Sequence, residues 1–121
     1  MSMQEAIAKK NQMKEALAEY IHFIGEDYSR WIGSAGRSRD AVSGEMTKEF
    51  LAGLRTKEGK KYIKVMTKSS VHSFIVDTEE DAKFKRGDIL MAAGWSAPAR
   101  NFSRGNILEG KFGKTSWTGA Q

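Results

Sequence analysis

Apolar positions along this 121-residue chain follow two different periods. From Met3 to Trp31 they recur every three to four residues, at Met3, Ala6, Met13, Leu17, Tyr20, Ile24 and Trp31. Ile7, Ile21 and Tyr28 widen the stripe, and Lys9, Lys14, Glu15 and Glu19 fill the rest of the cylinder. This spacing predicts one amphipathic helix over 3–31, roughly 40 Å long at 1.5 Å per residue. Lys10 interrupts the stripe near its start. The small and polar run Gly33–Arg39 breaks the helix. Val42, Met46, Phe50 and Leu54, each four residues apart, then predict a second helix from Asp40 or Ser43 to Leu54, with either residue able to cap it.

Beyond Lys57-Glu58-Gly59-Lys60 the period changes to two. Lys61–Thr67 alternates, with Tyr62, Lys64 and Met66 on one face and Ile63 and Val65 on the other. Val71–Asp77 follows a short Lys68-Ser69-Ser70 turn, as in an antiparallel hairpin. Ile89–Ala93 reads as a third strand, Asn106–Glu109 as a fourth and Thr115–Thr118 as a closing edge strand. The expected fold is α+β: one domain over 1–121, with an N-terminal two-helix hairpin (1–56) followed by a small antiparallel sheet carrying a ligand loop (57–121). The helix over 3–31 is longer than so small a domain needs. A homo-oligomer with this helix in its interface is therefore expected.

Composition narrows the function classes. With 40% hydrophobic residues the chain is expected to fold, and without cysteine it has neither disulfides nor thiolate chemistry. No leader-like or membrane-length apolar run occurs, so a soluble intracellular protein is expected. His22 and His72 stand too far apart for a metal site, and no cofactor is expected. Charge is uneven: residues 1–54 sum to −1 and residues 55–121 to +6, giving the +5 of the whole chain. A positive field of this kind steers anions in general.

The stretch Gly87–Asn106 concentrates candidate chemistry. From Ile89 to Leu108 there is no carboxylate, histidine or cysteine, yet Trp95, Arg100, Asn101, Phe102, Arg104 and Asn106 crowd its second half with the chain's only proline, Pro98. Arginine forks match phosphate oxygens. Asparagine amides can read a purine edge, and tryptophan or phenylalanine can stack on its face. Trp95 would serve equally as a core anchor, and Pro98 sets the loop's path. Lys64 and Phe74 on neighbouring strands are second candidates.

Catalysis finds little support in the same residues. No nucleophile-elbow pattern surrounds a serine, His72 lies mid-strand, and Glu79-Glu80-Asp81 reads as a solvated connector. The Gly33-x-x-Gly36 pair follows a helix rather than a strand, so it is not a dinucleotide loop. The residues read as a holder of an anion, with no catalytic residue.

The C-terminal half also resembles a group of small bacteriophage proteins. The resemblance is carried by Lys61–Val65, Ser73–Val76, Gly87–Leu90, Ala93-Gly94-Trp95-Ser96-Ala97-Pro98-Ala99-Arg100-Asn101, Arg104–Ile107 and Trp117–Ala120. In architecture and length the chain is similar to the Thoeris anti-defence sponges. That similarity implies an oligomer in the host cytoplasm that sequesters cyclic ADP-ribose-type signals, or cyclic oligonucleotides, between protomers without cleaving them. In this reading Arg100 and Arg104 clamp phosphate, Asn101 and Asn106 orient it, and Trp95 or Phe102 stacks on the base. The alternative is a basic module that binds nucleic acid or a host protein, supported by aromatics interleaved with cations. A structural role in virion assembly also fits the long helix.

Overall fold

The computed structural model describes residues 2–34, 48–68, 70–113 and 115–120, and the side chains of 32–34 lie outside that description. Helix α1 spans Met3–Ser34. Ser2 begins it: its hydroxyl accepts the Glu5 N–H at 3.2 Å, satisfying one of the first-turn donors that lack an intrahelical partner. The apolar stripe is buried only from Met13 onward, at Met13, Ala16, Leu17, Tyr20, Ile24 and Tyr28. Met3 (80% exposed) and Ile7 (53%) project beyond the core.

Four strands form an antiparallel meander in the order β1-β2-β3-β4. They are β1 (Arg55–Glu58), β2 (Tyr62–Met66), β3 (Val71–Val76) and β4 (Ile89–Met91). Alternation sorts their side chains. Ile63, Val65, Ile75 and Ile89 pack with Met13, Leu17, Tyr20 and Ile24 of α1, joined by Ile107 and Ala120. Phe74, Val76 and Leu90 form a second, smaller core on the other face, covered by Phe84 and flanked by Tyr62, Val71 and Ala92. At the β2–β3 pairing the register steps from Val65↔Ser73 to Met66↔Val71, leaving His72 as the extra residue of a bulge. The bulge turns the imidazole to the same side as Ser73, toward α1.

The outer edge of β4 is covered by the chain's return. Ala99 N–H donates to Met91 O at 2.7 Å, Arg104 N–H to Ile89 O at 2.8 Å, and Ile89 N–H to Gly105 O at 2.9 Å. Gly105 sits at φ 152°, and a Cβ there would meet the Lys111 carbonyl oxygen at 2.3 Å. Gly105→Ala is therefore expected to cost roughly 3 kcal/mol from backbone strain and overpacking. Chemical denaturation will show it, and an unchanged midpoint would contradict this packing. The chain ends in a second hairpin, β5 (Thr115–Ser116) with β6 (Gly119–Ala120). Trp117 at its tip packs among Tyr28, Trp31 and Phe50, and its N–H donates to Asp27 at 2.8 Å.

The α+β class holds, but several elements differ from expectation. The described residues contain one long helix and a short helical segment at 48–53, not a two-helix hairpin. The expected start of the second helix, at Asp40 or Ser43, lies outside the described residues. Its end packs closely on α1: a Cβ on Gly25 would meet Leu51 at 2.6 Å, and Phe50 stacks on Tyr28 with centroids 4.1 Å apart. Strand β1 was not expected, because Arg-Thr-Lys-Glu offers no apolar alternation and all four residues are exposed. Its ladder with β2 holds it in place. Asn106–Glu109 is a turn joined by isolated bridges rather than a fourth strand. Thr115–Thr118 is half of a hairpin rather than a single edge strand. The interface argument changes too, since Leu17 and Ile24 lie in the protein's own core. No helix among the described residues is long and apolar enough to cross a membrane.

Candidate functional site

The two arginines that the sequence nominates for phosphate binding are engaged within the protein. Arg100 donates from Nη1 and Nη2 to the Asp81 carboxylate at 2.8 and 2.9 Å, and from Nη1 to the Tyr62 hydroxyl at 2.5 Å. Its guanidinium lies 5.0 Å from the Phe84 ring centre. The Arg100 hydrogen bonds, and then the N–H groups of Lys83 and Phe84, hold the Asp81 carboxyl well below the usual carboxylate range. The same pairing pushes the Arg100 guanidinium up. Asp81 is thus the anchor of a turn and an ion pair, not part of a solvated connector. Glu79 and Glu80 of that cluster are exposed, as the solvated reading expects, and Glu79 is paired, accepting from Lys9 Nζ at 2.7 Å.

Arg104 is 5% exposed. Its Nη1 donates to Asn101 Oδ1 at 2.6 Å and to the Phe102 carbonyl at 2.7 Å, and its guanidinium carbon lies 3.9 Å from the Phe102 ring centre. Its Nε is buried without a hydrogen-bond partner among the described residues. Asn101 Oδ1 also accepts the Phe102 N–H, so this amide organises its own loop. Asn106 is buried: Nδ2 donates to Arg86 O and Asp88 Oδ1, both at 3.0 Å, and Oδ1 accepts the Glu109 N–H. Arg104-Gly105-Asn106 therefore ties the β4 edge to the 106–111 turn. These groups are placed to hold the fold.

Lys64, Phe74 and Trp95 do come together. Lys57↔Lys64 and Lys64↔Phe74 are cross-strand partners, so register puts the three on one face of the sheet. Lys64 Nζ lies 4.9 Å from the Trp95 ring centre and 6.0 Å from that of Phe74. Trp95 is 56% exposed, so it is not a core anchor, whereas Phe74 is buried and serves as the floor. Lys64 and Phe74 line a groove of about 200 Å³ with Lys57, Lys60, Lys61, Tyr62, Ser96 and one carboxylate, Glu58, and Trp95 adjoins it through Lys64. Among the described residues, none of these four lysines is in an ion pair with a carboxylate. Lys57, Lys60 and Lys61 line the groove but were not among the candidates the sequence nominated. The density of cations over 55–64, with Glu58 as its only acid, was the available signal.

On the α1 side of the sheet, His72, Ser73 and Tyr20 form a buried relay. The Tyr20 hydroxyl lies 2.7 Å from Ser73 Oγ, which lies 2.8 Å from His72 Nδ1, and His72 Nε2 meets the Ser116 carbonyl at 2.6 Å. Burial pushes the His72 pKa down. Ser73 is fully buried beneath α1, so a substrate would reach this serine–histidine pair only by unpacking the helix. The relay joins α1, β3 and β5, and its geometry serves folding. Among the described residues, no group of three or more histidine, cysteine, aspartate or glutamate side chains is placed to hold a metal.

Comparison of the chain with models of known families, with characterised proteins and with solved structures finds no match.

Proposed function

We propose that the protein binds a small phosphate-bearing nucleotide in the Lys57–Lys64 groove and holds it without transforming it. One observation carries this reading: the loop arginines are taken up by internal partners, while four lysines without carboxylate partners line one groove with Tyr62 and Phe74, and an exposed Trp95 adjoins it beside Lys64. Ammonium groups complement phosphate charge, and the indole face offers a base a stacking surface. Apart from its lysines, the groove is bordered by Glu58 and Tyr62 as titratable groups. Lysines that hold a ground-state phosphate as firmly as a transition state confer affinity without acceleration.

The resemblance to phage anti-defence sponges suggests the ligand and its purpose: a cyclic ADP-ribose-type or other cyclic nucleotide signal, captured in the host cytoplasm. Self-association belongs to the same reading, with the exposed start of α1 around Met3 and Ile7 as its surface. A second reading, binding to single-stranded nucleic acid, is favoured by the size and openness of the groove, since about 200 Å³ accommodates a base rather than an enclosed ligand.

The test is incubation with a panel of cyclic nucleotides, heat release and mass analysis. Intact recovery is expected, and a product of altered mass would mean an enzyme. Lys60→Ala combined with Lys64→Ala is expected to weaken uptake at least tenfold, each lost charge-assisted contact contributing on the order of 1.5–3 kcal/mol before solvent screening. Arg104→Ala will instead lower stability, because the residue is buried. A steep loss of affinity with salt, shared by any oligonucleotide, would select the nucleic-acid reading.

A further inference from the structure

Tyr62 forms one wall of the groove, and it is held from outside the groove through a three-link chain. The backbone N–H groups of Lys83 and Phe84 donate to Asp81 Oδ1 at 2.8 and 3.0 Å, fixing the carboxylate to its own turn. The carboxylate takes both terminal nitrogens of Arg100, and Arg100 Nη1 donates to the Tyr62 hydroxyl. Two further contacts restrain Arg100: its guanidinium lies against Phe84, and its carbonyl accepts Lys83 Nζ at 2.7 Å. At the other end, the Tyr62 ring stands edge-on to Phe74, the groove floor, with centroids 6.0 Å apart.

The geometry points to Asp81 and Arg100 as positioning residues that set the Tyr62 ring as the wall of the nucleotide groove, with Arg100 making no phosphate contact of its own. This inference rests on the proposed reading of the groove. Its physical basis is that a guanidinium already bound bidentately to a carboxylate would have to exchange that partner for phosphate, giving up two charge-assisted bonds to form two others. A half-buried phenol whose hydroxyl is pinned loses the freedom to swing across the groove, so less ordering remains when a ligand enters.

The two roles for Arg100 predict opposite signs for one variant. Were Arg100 a phosphate clamp, Asp81→Asn would release a cation and remove an anion, raising nucleotide affinity. As a positioning pair, Asp81→Asn and Arg100→Ala should both lower it, by a similar three- to tenfold. Arg100→Lys keeps the charge but cannot hold carboxylate and phenol together, and should behave like Arg100→Ala. Tyr62→Phe retains both the ring and the Asp81–Arg100 pair, so it folds normally, and it should weaken binding to a similar extent. Titration calorimetry with cyclic ADP-ribose and with ADP gives the affinities. The Tyr62 ring proton signals of the ligand-free protein should shift alike in Asp81→Asn and Arg100→Ala. Tighter nucleotide binding by Asp81→Asn would overturn the positioning role while leaving the groove reading intact. Uptake of neither nucleotide by the unmodified protein would instead overturn the groove reading, and the inference with it.

Discussion

Replacing Ile24 with aspartate will unfold the protein rather than dissociate an assembly. Ile24 is fully buried between α1 and the sheet, among Tyr20, Ile63, Val65 and Ile75. A carboxylate there would lose its hydration, with no cation available inside this apolar cluster to compensate. The expected cost is roughly 4–5 kcal/mol, a large part of the 5–15 kcal/mol typical of a domain. Leu17→Asp should behave in the same way. Circular dichroism melts will report both as a lost or much lowered transition. Met3→Asp and Ile7→Asp, at exposed positions, should leave stability within about 0.5 kcal/mol. If the start of α1 carries self-association, those two variants will shift light scattering toward the monomer at unchanged fold. A normally folded Ile24→Asp protein would mean that the stripe faces a second copy rather than the sheet.

The second large effect is a loss of stability as pH falls through the histidine range. A carbonyl only accepts, so His72 Nε2 must carry the proton that bonds Ser116 O. In the neutral ring Nδ1 then accepts from Ser73, and Ser73 accepts from Tyr20. Protonating Nδ1 makes it a donor to Ser73 Oγ, so the relay holds three donor protons for two acceptors, and either the Ser73 or the Tyr20 hydroxyl, both fully buried, loses its acceptor there. Burial of the ring disfavours the charged form directly and pushes the pKa below the ordinary 6.5. The unfolded chain therefore binds a proton near 6.5 that the folded chain resists. Stability is fully present above that value and declines as pH falls from about 7 toward the depressed native pKa, at about 1.4 kcal/mol per pH unit within that window. Asp81 and Glu79, whose pKa values are lowered, lose their contributions only below the ordinary carboxylate range. Denaturation midpoints between pH 7.5 and 5, in a His22→Ala background so that one histidine titrates, should fall in the parent and flatten in His72→Gln. At pH 7.5 the His72→Gln protein should already be less stable, by about 1–3 kcal/mol. A parent profile that stays flat over that range would show that the relay does not hold His72 neutral.

Elements with strong periodicity are legible in the sequence alone. The stripe through Met13, Leu17, Tyr20 and Ile24 and the alternation of Tyr62–Met66 and Val71–Val76 each bury one face, and burial of one face is what a period of 3.6 or 2 encodes. Strand β1 carried no such pattern, because neither of its faces is buried and only its hydrogen bonds to β2 make it a strand. The bulge at His72 was equally hidden, since a one-residue register step is a property of two paired strands.

The site divides in the same way. Lys64, Phe74 and Trp95 were nominated because they combine cation and aromatic types, and tertiary structure brings them together. Arg100, Arg104, Asn101 and Asn106 were the more conspicuous donors, but their partners, Tyr62, Asp81, Asp88, the Phe102 carbonyl and the Arg86 carbonyl, lie from two to thirty-eight residues away along the chain. An acid-free window from Ile89 to Leu108 describes sequence neighbours alone. Folding brings Asp81 of the connector to Arg100 and neutralises one of the window's two positive charges, while Arg104 is held by Asn101 and the Phe102 carbonyl. Local pattern by itself determined which segments are amphipathic and where the chain is rich in cations. Which of those cations remain available for an anion was decided only when distant carboxylates were brought within hydrogen-bonding range, because an ion pair acts over a few ångströms in space whatever the separation in sequence.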